Sequence, residues 1–158
     1  MKLKFATRLG LACIVVAGIA GTAAADSHFN GALKARKATM QLYAHYLGQL
    51  GAMAKGAAPY DAEKALAAAN SLLAVNGIDQ SAMWPQGSDN SALGDQTRAL
   101  PAIWTTYPAI NDKGAAMSEA LGVLASAAGT DLAGLQGAIG GVGAACGGCH
   151  KAFRQPDN

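Results

Sequence analysis

Large apolar residues recur at three- and four-residue steps from about Asn30 to Ala54. Leu33, Met40, Tyr43, Leu47, Leu50 and Ala54 form one stripe, with Lys34, Lys37, Gln41 and Gln49 off it. That period marks the apolar face of an amphipathic helix, expected to end near Gly56 and Pro59. Asp61 is placed to cap a second helix that begins at Ala62-Glu63, carries Ala65, Leu66, Ala69, Leu72 and Leu73, and stops at Asn76-Gly77. From Gly77 to about Leu100, Trp84-Pro85, Gly87, Ser88, Asp89, Asn90 and Gly94 read as one long connection. Connections of that length are uncommon in compact domains and often carry function.

A third helix is expected from Pro101 to about Ala128. Pro108 within it predicts either a kink or a later start capped by Thr105 or Thr106. After Gly129, Asp131 caps a fourth helix running through Leu132, Leu135, Ile139 and Val142. Nothing alternates with period two. The expected fold is therefore all-α, an antiparallel four-helix bundle in which only the second and third helices are joined at length.

The first 25 residues stand apart from this pattern. Lys2, Lys4 and Arg8 precede the apolar run LGLACIVVAGIAG, and Thr22-Ala23-Ala24-Ala25 ends in small residues. These are the parts of a secretory signal, and the run is shorter than the roughly 20 residues that span a membrane. Residues 1–25 are expected to be removed on export to the periplasm, leaving 26–158 as one domain with no membrane anchor. Cys13 leaves with the signal. The formal net charge of +2 loses three basic residues with it, so nine Lys and Arg remain against ten Asp and Glu. With no basic patch and no interleaved aromatics, nucleic-acid binding is not expected.

The chemistry then concentrates in one stretch, Cys146-Gly147-Gly148-Cys149-His150-Lys151-Ala152-Phe153-Arg154. A thioredoxin-like pair needs a β-α-β context and a thiol at a helix N-terminus, whereas this pair follows about four turns of expected helix. A structural zinc site needs a second ligand pair, and His28 and His45 are too isolated to supply one. Two thiols followed directly by an imidazole match covalent haem attachment, with a plain surface disulfide as the remaining alternative. Gly147 and Gly148 are expected to let a macrocycle and a neighbouring helix approach the backbone.

The stretch resembles the C-x-x-C-H-x-x-[Phe/Tyr]-[Arg/Lys] motif of class II c-type cytochromes, the cytochrome c prime family, at every position. Arg36-x-x-x-Met40 resembles that family's first-helix signature. Gly51-Ala52-Met53-Ala54-Lys55-Gly56 with Pro59-Tyr60-Asp61 is similar to its first turn, and Pro101-Ala102-Ile103-Trp104 to the start of its third helix.

The resemblance implies one covalent haem c per chain, held through Cys146 and Cys149, with His150 as proximal iron ligand. It implies two branches. One is a low-spin carrier of single electrons between redox proteins, with Met40 as distal ligand. The other is a high-spin pentacoordinate protein that binds NO or CO at an open distal site. Without the resemblance, Met40 on an apolar stripe reads as core packing. In the family's terms Arg36 is placed to meet a haem propionate, Arg154 to stand over the proximal imidazole, and Phe153 to pack on the haem. Trp84 and Trp104 are expected in the core, Tyr43 between helices and His45 on the surface. Homodimerisation is compatible with the first-helix surface. A mildly acidic whole implies partner docking with weak complementarity in place of strong steering.

Overall fold

The computed structural model describes the backbone of residues 21–156 and side chains from Phe29 onward; most of the expected signal, residues 1–25, lies outside the described residues. Helix α1 (Gly21–Ala54) starts ahead of the expected cleavage position. Its buried side chains are Leu33, Arg36, Thr39, Tyr43, Leu50 and Met53, whereas Met40 is 41% exposed. The expected stripe is thus rotated: Met53 takes a core position and Met40 does not. Helix α2 (Ala62–Asn76) begins where the Asp61 carboxylate accepts from the Lys64 N–H at 3.0 Å, and it ends with the Gly77 N–H donating to Leu73 O and Ala74 O.

The connection that follows is ordered by short turns of its own. A 3-10 turn at Ser81–Met83 precedes the single turn α3 (Asn90–Leu93), capped by Asp89, and a second 3-10 turn spans Gly94–Gln96. Ser88, Leu93 and Thr97 are buried along it.

The third helix is split. A single turn α4 (Ala102–Thr105) is separated from α5 (Ala109–Ala127), with Pro108 at the N-cap position. Neither Thr105 nor Thr106 caps α5, because their hydroxyls donate backward to Pro101 O and Ala102 O. Proline lacks an N–H and disfavours helical geometry in the residue before it, which accounts for the break falling there. Helix α6 (Leu132–Phe153) starts at Asp131, whose carboxylate accepts from the Gly134 N–H at 2.7 Å.

The long helices pack in a ring: α1 on α2, α2 on α5, α5 on α6 and α6 on α1. Leu50, Leu72, Leu121, Leu124, Leu135 and Val142 fill the centre, with Tyr43 donating to Asn76 Oδ1 between α1 and α2. A separate cluster at one end joins Ala99, Ile103 and Phe153, flanked by Trp84 and Trp104.

Candidate haem site

The motif occupies the last two turns of α6. Cys146 packs on the central core and Cys149 on the end cluster, and both are unbridged thiols. Burial raises the pKa of each. For Cys149 the charge of Cys146 adds to this, and Lys113 opposes it. Protonated thiols at a helix C-terminus, where the dipole disfavours a thiolate, are poorly suited to disulfide exchange.

His150 is pushed the other way. Burial, then the charge of Arg154, then that of Arg98 lower its pKa. An imidazole kept neutral in this way is in the form that binds metal. Arg154 Nη1 lies 3.3 Å from His150 Nδ1, which leaves Nε2 as the ring nitrogen available to a metal.

What fixes this end of α6 comes from far away in sequence. Ala99 and Arg154 form an isolated antiparallel bridge, with the Leu100 N–H donating to Phe153 O at 3.0 Å and the Gln155 N–H to Arg98 O at 2.8 Å. Arg98 Nη2 donates to Gln155 O at 2.6 Å, and Asn90 Nδ2 to Gln155 Oε1 at 3.0 Å. Residues 90–100 therefore act as a strap across the chain immediately after the motif. No local sequence pattern marks Arg98 or Asn90 as part of the site, because their partner lies 57 and 65 residues away. Phe153 is buried beneath the same strap with Ala99 and Ile103. A Cβ added at Gly147 or Gly148 would meet nothing within 4 Å, so approach of a neighbouring helix does not explain these glycines.

On α1, Arg36 is 5% exposed. Both its Nη atoms donate to Ser88 O, at 3.3 and 3.2 Å, and its guanidinium lies 4.6 Å from the centre of the Trp84 ring. Its Nε is buried without a partner. Burial lowers its pKa, and among the described residues it has no ion pair. A buried guanidinium with a bare donor suits a carboxylate, which is what a haem propionate offers. Trp104 Nε1 donates to Trp84 O, so the two indoles are tied together beside Arg36. His45 is exposed and pairs with Gln49.

The α1–α6 register relates Met40 to His150. Gln136 Nε2 donates to Ala54 O, and Tyr43 lies within electrostatic range of Cys146 in the shared core. The two helices run antiparallel with the same rise per residue. Fourteen residues back from Ala54 is Met40, and fourteen forward from Gln136 is His150, so the two stand at one level. They also share facing sides. Leu47, Gly51 and Ala54 on α1 line a groove with Gln136, Ile139 and Gly143 on α6. Helical periodicity carries the first row on to Met40 and the second on to His150.

A neutral imidazole, two unbridged thiols at the attachment spacing and an anion-seeking guanidinium make a donor set that fits a covalent haem. Together with the all-helical bundle, they define a c-type cytochrome of the bundle class. Comparison with known proteins agrees: residues 31–154 match the family described as Cytochrome C′. The chain is 46% identical over 127 residues to cytochrome c-554 of Cereibacter sphaeroides, covering 79% of this chain and 81% of that one. It superposes on the structure of cytochrome c′ from Rhodobacter sphaeroides with a TM-score of 0.79 at 36% identity, covering 82% of this chain and 98% of the other. A nitric oxide complex of a cytochrome c prime variant from Alcaligenes xylosoxidans aligns with a TM-score of 0.71 at 30% identity, covering 82% and 97%. The chain belongs to the cytochrome c′ family, and its cofactor is one covalently attached haem c.

Proposed function

We propose that this protein is an exported, periplasmic carrier of single electrons, with His150 and Met40 as the two protein ligands of its haem iron. The haem supplies the one-electron chemistry, and the chain sets where it sits and how readily it accepts an electron. The observation that carries the reading is the α1–α6 pairing, which brings Met40 level with His150 on facing rows. The exposure of Met40 adds to it, since a residue 41% exposed between buried Thr39 and Tyr43 is not serving as core packing. Cys146 and Cys149 provide the thioether links, Arg36 holds a propionate, and Arg154 stands against the proximal ring.

In the rival reading the distal position is open and the protein binds NO or CO. The likeness to a relative's nitric oxide complex favours it. Addition of CO to the reduced holoprotein decides between them. The carrier reading expects an unchanged low-spin spectrum and, when oxidised, a sulfur-to-iron charge-transfer band; rapid CO uptake overturns it. In Met40→Ala that band is expected to vanish and CO binding to appear, because the variant removes the one soft ligand on the distal side.

A further inference from the structure

The formal charge of residues 26–158 is close to neutral, but the fold segregates it. On α1 and the residue following it, the described charged side chains are Lys34, Arg36, Lys37 and Lys55, and on α6 the single charged side chain is Lys151, followed by Arg154. No described carboxylate lies on either helix from Phe29 onward. The described acids are instead on or before α2 and α5 (Asp61, Glu63, Asp112, Glu119), along the connection (Asp79, Asp89, Asp95), and at Asp131, while the Asp26 side chain and Asp157 lie outside the described residues. Asp131 caps the far end of α6, nineteen residues from His150. Lys34, Lys37, Lys55 and Lys151 are all exposed, and among the described residues none forms an ion pair, the one recorded pair being Lys64 with Asp61.

These cations border an apolar seam. The α1–α6 groove, about 510 Å³, is floored by Leu47, Ala54 and Ile139, with Lys55 at one end. Towards the other end the seam reaches Met40. By the register above, Lys37 on α1 and Lys151 on α6 flank it within about two residues of each other's level, roughly 3 Å along the axis.

We propose that the α1–α6 face is a docking surface for an acidic redox protein, with Lys37, Lys55 and Lys151 as the complementary rim and the Leu47–Ile139 seam as the apolar centre. A charged rim around a small apolar patch suits a partner that must arrive quickly, orient and leave, because complementary potentials act mainly on encounter rate and register. The occupant is not a second copy of this chain. A two-fold contact through this face would set unpaired lysines against lysines, and like charges at an interface are costly. Weak steering follows from the net charge only if charge is spread evenly, which this fold does not do. The inference rests on the electron-carrier reading above.

The test measures oxidation of the reduced holoprotein by ferricyanide, an anion, and by tris(phenanthroline)cobalt(III), a cation, between about 10 and 200 mM salt, a range over which screening of exposed charges becomes nearly complete. Net charge, made more negative by the haem propionates, predicts that salt speeds the anion. The face predicts the reverse, a fall of about tenfold for ferricyanide and a rise for the cobalt complex. Lys37→Glu combined with Lys151→Glu should invert both trends, while Lys64→Glu, on α2, should leave them unchanged. Flavodoxin serves as an acidic protein probe. Its electron exchange should slow with salt and be lost in the double variant.

Salt trends that follow net charge, or a Lys64→Glu effect as large as the double variant's, overturn the face. So does a dimer at low salt that the double variant abolishes. CO uptake with the inverted salt dependence intact would retire the carrier reading alone. Salt trends that follow net charge in a CO-indifferent protein would retire the face alone.

Discussion

At the scale of single residues, the chemistry turns on how tightly His150 holds a proton. Burial and the charges of Arg154 and Arg98 set its folded pKa below the ordinary 6.5. The unfolded chain therefore takes up the proton first as pH falls. Stability is present above about pH 6.5 and is lost as pH drops through the folded value. In the ligation proposed above, protons and iron compete for the same imidazole, so loss of His150 ligation would run in the same direction. Arg154→Gln removes one repelling charge. Acid loss of His150 ligation is then expected at higher pH, read from the Soret band. The same charge favours the reduced haem, so the variant's reduction potential should fall by on the order of tens of millivolts in a potentiometric titration. The adjacency of Arg154 to His150 was legible because four residues on a helix is one turn. The contribution of Arg98 was not, since nothing near it in sequence points to the proximal ring.

At the scale of elements, α6 is the most exacting case. It carries Gly134, Gly137, Gly140, Gly141, Gly143, Gly147 and Gly148, and a glycine inside a helix costs up to about 1 kcal/mol relative to alanine. The positions are not equivalent. A Cβ at Gly137 or Gly140 meets nothing within 4 Å, whereas one at Gly134 would come within 2.7 Å of Ala127 O and 2.6 Å of Thr130 Oγ1. Gly137→Ala and Gly140→Ala are expected to stabilise the holoprotein by about 0.5–1 kcal/mol each and so to raise its melting temperature. Gly134→Ala should lower it despite the better helix former, since a backbone carbonyl cannot step aside. Thermal denaturation followed at the haem band checks all three. The aspartate caps of α2 and α6 were readable in advance, because a cap is satisfied within three residues, whereas the Asp89 cap of α3 was not. The division of the third helix was half readable. Pro108 announced the break, but no threonine caps α5, as both hydroxyls turn back to the preceding helix turn.

At the scale of the molecule, the haem-bearing end is closed by contacts that span more than fifty residues. The strap at Asn90–Leu100 binds the chain just past the motif through the Gln155 N–H, the Gln155 carbonyl and the Gln155 side chain. Ending the chain after Arg154 removes all three. At roughly 0.5–1.5 kcal/mol net for each bond, the truncated protein should lose about 2–4 kcal/mol and become open to proteolysis within residues 85–100. Limited proteolysis with mass analysis of the fragments measures it. Arg36 makes the matching tie on α1, holding the connection at Ser88 and Trp84. The 77–100 segment, which composition marks only as a turn-rich link, thus grips both helices of the haem seam.

Features that are local or covalent could be read from the chain alone: the helices, two of their caps, the attachment motif, and the family. Those follow from side-chain period, from hydrogen bonds that reach three or four residues, and from bonds the cofactor makes to fixed spacings. It took the folded arrangement to bring Met40 level with His150, to bury Arg36 under the connection, and to carry Arg98 to the proximal end. Each of these depends on the register of antiparallel helices and on the path of a long connection, which are set by packing between segments distant along the chain. The same packing turns a nearly neutral chain into one with a cationic seam, because it decides which helices stand side by side.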